Sequence, residues 1–214
     1  MNLGDNMNYI PIYLKENNQK IVLIGKGKPI LDKIEKFQAF SNSLIFLCTN
    51  QHQEKVAQCE MILIDESKWK QYVEAFSPRL IIQSGVSSSI AKQIYDYCMK
   101  SQIEINTVDQ PSLCSFIMPV IFEKGKFKLA MSSSGASPMI AKLLMQNIVE
   151  VIPDSIDVML DLLCEVRPYL KETLKLDFTE WKMLQKELCM YMLKLNRPLT
   201  TEELNVFIKR YQKQ

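Results

Sequence analysis

The segment Ile21-Val22-Leu23-Ile24-Gly25-Lys26-Gly27-Lys28-Pro29-Ile30 reads as a strand, a glycine turn and the start of a helix. That arrangement binds phosphate. A first glycine permits the tight reversal, and a second lets the backbone approach a pyrophosphate. The helix N-terminus then offers its free N–H groups to the anion. Gly25 and Gly27 hold the two glycine positions, and Lys28 and Pro29 open the helix. Ile30 stands where Gly or Ala normally allows close helix–strand packing, so the helix is expected to stand off or to turn that side chain elsewhere. Lys26 and Lys28 are either phosphate contacts or solvated turn residues. Cys48-Thr49-Asn50 closes the second apolar run, where an Asp or Glu binds the ribose of a typical dinucleotide. Thr49 and Asn50 are the candidates for that role here.

A second chemical group is Asp109, which follows the run Glu104–Val108. A carboxylate just past the C-terminal end of a sheet strand lies where α/β sheets present ligand-binding groups, and it can accept a proton from a bound substrate. The alternative is a plain turn, since Asp109-Gln110-Pro111 favours one.

The elements that must position these groups follow from hydrophobic rhythm. From Asn8 to about Val108, apolar runs at Lys20–Ile24, Leu44–Cys48, Met61–Ile64, Leu80–Ile82 and Glu104–Val108 alternate with helical spacers such as Pro29–Phe40 and Ser88–Lys100. Continuous apolar runs are strands buried on both faces, and helical spacers supply the crossovers of a parallel sheet. Ser87 is a candidate N-cap. A hairpin follows, with Phe116–Phe122 and Phe127–Ser132 flanking a turn at Glu123–Lys126. Ser137-Pro138 opens a helix to about Val149, with serine as cap and proline in the first turn. Beyond Pro153 the pattern is helical. Ile156, Met159, Leu160 and Leu163 recur at helical spacing, as do Leu184, Leu188, Tyr191 and Leu195. Thr200 and Glu203 form a capping box.

Composition sets the limits. The chain has 214 residues, 47% hydrophobic and 23% charged, with a net charge of +2. Charge this balanced provides no field toward nucleic acid or membrane. No apolar stretch reaches the 18 residues or so of a membrane span. Met1–Asn6 is polar and lacks the apolar segment of a signal peptide, so the expected location is cytoplasmic. Six cysteines without a C-x-x-C pair read as buried, reduced thiols. His52 is the sole histidine, which leaves little material for a zinc site.

The stretch from Ile105 to Leu144 resembles the precorrin-2 dehydrogenase family, which includes the N-terminal module of siroheme synthase. Asn106-Thr107-Val108-Asp109 is similar to the family's Asn-Val-Val-Asp. Ser115-Phe116-Ile117-Met118-Pro119 looks like its Phe-Ile-Met/Phe-Pro segment, and Ser132-Ser133-Ser134-Gly135-Ala136-Ser137-Pro138 like its serine–glycine turn. A weaker resemblance extends over Tyr9–Leu14 and the strand before Gly25. It implies an α/β fold with a Rossmann-like NAD-binding domain over 8–112, a small hairpin and dimerisation region over 113–150 and a helical region over 151–214. It further implies a homodimer and the NAD-dependent oxidation of the tetrapyrrole precorrin-2 to sirohydrochlorin; some members also insert ferrous iron. Carried over by position, Asp109 is the catalytic carboxylate. Ser133 matches a serine that is phosphorylated in some members, and Ser133, Ser134 and Lys142 fall on the substrate side. The departures, Lys26, Ile30 and Gln83-Ser84-Gly85-Val86-Ser87, all lie on the nucleotide side. Two other readings stay open: a chelatase without the oxidation step, and a non-catalytic tetrapyrrole-binding protein.

Overall fold

A computed structural model of the chain describes residues 9–15, 17–38, 43–50 and 59–211. Met1–Asn6, His52 and the end of the predicted first helix at Phe40 lie outside them. The chain forms two compact units, Met1–Met118 and Pro119–Gln214.

The first unit is a five-stranded parallel sheet. Its elements are β1 (Ile21–Gly25), α1 (Lys28–Gln38), β2 (Leu44–Cys48), β3 (Glu60–Leu63), α2 (Trp69–Phe76), β4 (Leu80–Ser84), α3 (Ser88–Ser101) and β5 (Glu104–Thr107). The strands lie in the order β3-β2-β1-β4-β5. Each apolar run splits its side chains between two cores, because successive residues of a strand face opposite ways. Val22, Ile24, Leu47, Ile81 and Ile105 pack with Trp69, Val73 and Ile94 on one face. Leu23, Phe46 and Ile82 pack with Ile30, Ile34 and Phe37 on the other.

Ile30 therefore does not push α1 away. It is fully buried and forms the first of three inward positions of that helix, with Ile34 and Phe37. The helix α2 was not anticipated from the sequence; it has eight residues and only two buried anchors, Trp69 and Val73. Ser87 takes the N-cap position of α3 in extended backbone, but its side chain makes no capping bond.

The second unit begins with the hairpin β6 (Val120–Lys124) and β7 (Phe127–Met131), paired from Val120↔Met131 to Lys124↔Phe127. The first strand starts four residues later than expected, because Phe116 and Met118 pack on the α1 side of the parallel sheet instead. Helix α4 (Pro138–Glu150) is capped by Ser137, whose side chain accepts from the Ile140 N–H. Helices α5 (Ile156–Leu174), α6 (Phe178–Leu195) and α7 (Thr201–Lys209) enclose a core of Met159, Leu170, Leu184, Leu188, Met192 and Phe207. The capping box at Thr200 and Glu203 is present, and a second one sits at Asp177 and Glu180. Tyr191 is exposed, so the buried stripe of α6 is narrower than its apolar pattern. The six thiols are all free, yet only Cys48 and Cys98 are buried and Cys164 is exposed, which corrects the expectation that all are interior.

Candidate functional site

Parallel pairing sets the C-terminal ends of four strands side by side. Gly25 pairs with Cys48 on one side and with Ser84 on the other, and Gln83 pairs with Thr107. Gly25, Gly27, Thr49, Asn50 and Asp109 consequently share one edge of the sheet. The strand order reverses direction between β1 and β4, and ligands of open α/β sheets bind outside the strand ends at such a point. From β1 to β5 is two strand spacings, on the order of 10 Å.

The glycine turn is clasped to the turn after β4. Gly25 has φ 133°, and a Cβ there would stand 1.7 Å from the Ser84 carbonyl oxygen. The Lys26 N–H donates to that same oxygen at 3.1 Å. Gly85, which the sequence reading did not single out, has φ 68°, and a Cβ on it would meet the Lys26 carbonyl oxygen at 2.5 Å. Gly27 differs. Its φ is 84°, but the nearest atom to an added Cβ is the Pro29 Cδ at 3.8 Å. Gly25 and Gly85 are glycines because backbone passes close by. Gly27 leaves open space beside the first turn of α1, where Lys28 and Pro29 are exposed.

On the other side of β1, the Thr49 N–H donates to the Gly25 carbonyl at 3.0 Å, while the buried Thr49 Oγ1 has no hydrogen-bond partner among the described residues. Thr49 lines a cavity of about 430 Å³ with Leu63, Ile64, Asp65 and Glu66. No acid stands at the end of β2, and the two acids that line this cavity follow β3, where Leu63-Ile64-Asp65-Glu66 is an apolar run ending in two carboxylates. Asp65 accepts from the Ser67 hydroxyl at 2.6 Å and its N–H at 2.8 Å, and these bonds hold it below the usual carboxylate range. Glu66 Oε1 accepts from the Ser87 N–H at 2.6 Å. Asn50 is half-buried, and its N–H donates to the Cys48 Sγ at 3.4 Å. An orphaned hydroxyl in a cavity and an open glycine at a helix start fit a dinucleotide.

Asp109 is exposed and has φ 61°, a left-handed conformation uncommon for a residue with a Cβ. Its turn is tied down at both ends. The Val108 N–H donates to the Gln83 carbonyl at 3.0 Å, and the Gln110 N–H to the Thr107 carbonyl at 3.2 Å. Cys114 Sγ accepts from the Thr107 N–H at 3.2 Å, and its single S–H is shared between the Thr107 and Gln110 carbonyls, each at 3.3 Å. Burial raises the Cys114 thiol, so it stays protonated and able to donate. Lys33 of α1 is half-buried. Burial lowers its ammonium and the neighbouring Lys36 adds to this, while the Asp109 carboxylate acts against both.

Ser133, Ser134 and Lys142 belong to the second unit. Ser133 Oγ accepts from the Ser137 N–H at 3.0 Å, and the Ser134 N–H donates to the Ser132 Oγ at 3.0 Å. Ser134 has φ 51°, and Lys142 is exposed on α4. The serines thus build the turn that leads into the α4 cap. No cluster of three or more metal-ligating side chains occurs among the described residues, and no helix among them is long and apolar enough to cross a membrane.

A family model described as "Putative NAD(P)-binding" matches residues 12–120, which take in the whole parallel sheet and the Asp109 turn. The chain belongs to this NAD(P)-binding family. The siroheme synthase of Actinobacillus pleuropneumoniae serotype 7 (strain AP76) is 28% identical over 171 residues, covering 77% of this chain and 34% of that protein. The siroheme synthase of Zymomonas mobilis subsp. mobilis (strain ATCC 31821 / ZM4 / CP4) is 26% identical over 174 residues, covering 78% of this chain and 36% of that protein. The chain thus spans about a third of the length of these relatives. Among solved structures, SirC, a precorrin-2 dehydrogenase, matches with a TM-score of 0.64 at 16% identity, covering 96% of this chain and 100% of that one. The two share a fold over almost their full lengths, hairpin and helical region included. The resemblance read from Asn106–Asp109, Ser115–Pro119 and Ser132–Pro138 is borne out by these matches.

Proposed function

We propose that this chain oxidises precorrin-2 to sirohydrochlorin in siroheme biosynthesis, with NAD as the hydride acceptor. One observation carries the reading: Asp109, an exposed carboxylate held in left-handed backbone, stands on the same sheet edge as the open Gly27 turn and the unpartnered Thr49 hydroxyl. The family match and the siroheme synthase relatives support it.

In this reading Gly27 and the first turn of α1, with Lys28 and Pro29, receive the pyrophosphate. Thr49 Oγ1 and Asn50 meet the ribose. The carboxylates of Asp65 and Glu66 in the same cavity repel a 2′-phosphate, which selects NAD over NADP. Bound NAD⁺ supplies the two-electron acceptor. The oxidation releases a hydride and a proton, and Asp109 accepts the proton. Lys33 contributes positive charge near Asp109, suited to a substrate rich in carboxylates. Ser133, Ser134 and Lys142 are assigned to those carboxylates on the family likeness. The protein acts as a cytoplasmic homodimer, in keeping with its six unpaired thiols. The interface is the face of α4 on which Met139, Ile140, Leu143 and Leu144 are exposed.

The test is direct. The purified chain with NAD⁺ and precorrin-2 yields NADH and sirohydrochlorin, and Asp109→Asn loses that turnover while calorimetry still detects NAD⁺. A chain that binds no NAD⁺ at millimolar concentration rejects the proposal.

A further inference from the structure

Gln83 is an amide in an otherwise apolar place. It is fully buried in β4, between Ile24 of β1 and Thr107 of β5. Its pairing partner Ile24 belongs to the apolar core with Ile81 and Ile105. Its Nε2 donates to the Ala91 carbonyl of α3 at 2.9 Å and to the Thr107 Oγ1 at 2.8 Å. Thr107 passes the bond on, its hydroxyl donating to the Leu113 carbonyl at 2.7 Å. The other end of the amide, Oε1, is buried with no partner among the described residues. A buried polar group left half satisfied is costly, and a leucine of similar size would avoid the cost. The unsatisfied Oε1 offsets part of what the two Nε2 bonds contribute to the fold. The chain of bonds runs from the sheet interior through Thr107 to Leu113 and so ties both sides of the turn that carries Asp109. The Val108 N–H, bonded to the Gln83 main-chain carbonyl, joins the same residue to that turn a second time.

We infer that Gln83, acting through the Thr107 hydroxyl, is a positioning residue that holds the Asp109 turn in its left-handed conformation. It touches neither substrate nor cofactor. The inference rests on the reading of Asp109 as the proton acceptor, and it adds a determinant on β4, outside the glycine turn and the Asp109 motif. The hydrogen-bonded donor chain is cooperative, since each bond polarises the next. Misplacement of a reacting group by about 1 Å can cost on the order of a hundredfold in rate.

The experiment compares Gln83→Leu, Thr107→Val, Thr107→Ser and Asp109→Asn in the full chain. It measures kcat and the KM for NAD⁺, thermal melting, and amide hydrogen exchange over residues 108–113. Gln83→Leu and Thr107→Val lower kcat roughly tenfold or more, leave the KM for NAD⁺ unchanged, and speed exchange at 108–113. Thr107→Ser, which keeps the hydroxyl, restores both. Gln83→Leu melts no lower than the parent, which separates positioning from stability. Full kcat in Gln83→Leu beside an inactive Asp109→Asn overturns the positioning role and leaves the Asp109 reading intact. If instead Asp109→Asn is fully active, the proton-acceptor reading falls. Hydrogen exchange then decides the anchoring by itself, and unchanged protection at 108–113 in Gln83→Leu removes it.

Discussion

Gly25 and Ser84 lie so close that a Cβ on the glycine would stand 1.7 Å from the serine carbonyl oxygen. This contact welds the turn after β1 to the turn after β4, and Gly85 repeats it from the other side against Lys26. The glycines of the turn therefore separate into two kinds. Gly25→Ala is expected to destabilise the whole first unit, by about 3 kcal/mol or more, because backbone must move. Gly27→Ala has room for its methyl and bears mainly the strain of φ 84°, on the order of 1–2 kcal/mol. Thermal melting separates them, and calorimetry is expected to find that Gly27→Ala folds but binds NAD⁺ weakly, as its proposed role at the pyrophosphate requires.

Thr49 offers a test in which stability and binding move oppositely. Its Oγ1 is buried and unpartnered, so Thr49→Val removes an unsatisfied group while keeping the shape of the side chain. The free protein is expected to gain about 1 kcal/mol. NAD⁺ affinity is expected to fall, since the hydroxyl proposed to meet the ribose has gone. Melting curves with and without NAD⁺ show both effects, and the substitution shrinks the ligand-induced rise in Tm.

The proposed cofactor choice rests on charge. Asp65 and Glu66 line a cavity with Thr49, so under the proposed binding mode NADP⁺ is expected to bind roughly tenfold or more weakly than NAD⁺ at low ionic strength. Added salt narrows the difference, because the repulsion acts near solvent and is screened. Titrations of both nucleotides at two salt concentrations check this; equal affinities at low salt contradict it.

Acid sensitivity has a traceable source in the helical unit at Glu203. Arg197 forks onto Glu203, with Nη1 to Oε2 at 2.8 Å and Nη2 to Oε1 at 2.7 Å. The Arg197 guanidinium, and then the Thr200 backbone N–H, hold the Glu203 carboxyl down at about 2, against an ordinary 4.5. A depressed folded value means that the carboxylate stabilises the fold fully above about pH 4.5 and ceases to do so as the pH falls to about 2. Glu203→Gln should melt below the parent at neutral pH, and the gap should close across that window.

The exposed apolar positions of α4 predict the assembly. Leu143→Lys with Met139→Lys places two charges in the proposed interface and is expected to yield a monomer by sedimentation, with helix content unchanged. A parent chain that is already monomeric contradicts the assignment of this face.

Much of the parallel sheet was legible because doubly buried strands leave continuous apolar runs, as at Leu44–Cys48, which the structure reproduces to the residue. Helix α2 was not legible, since Trp69 and Val73 alone mark no period. Phe116 and Met118 looked like strand residues by type, but tertiary packing claimed them for the α1 side of the sheet. In the candidate site, the glycine turn and Asp109 announced themselves through local motifs. Asp65 did not, because a ribose carboxylate is expected at the end of β2, whereas the acids lining this cavity follow β3. Gln83 was read only as a departure on the nucleotide side and Thr107 only as a letter of the Asp109 motif, so their contact stayed hidden for a different reason. Gln83 and Thr107 are 24 positions apart and meet only after β4 and β5 pair, so no local spacing encodes their bond.

The left-handed backbone at Asp109 also shapes what can replace it over evolutionary time. Asparagine and glycine enter that geometry cheaply, whereas valine or isoleucine would force the turn to rebuild. A descendant that abandoned the chemistry yet kept its architecture would carry Asn or Gly there, and would be recognisable by that one letter beside an unaltered Thr107 and Cys114. A branched residue at the same place would instead announce a remodelled loop, with the old anchors free to drift.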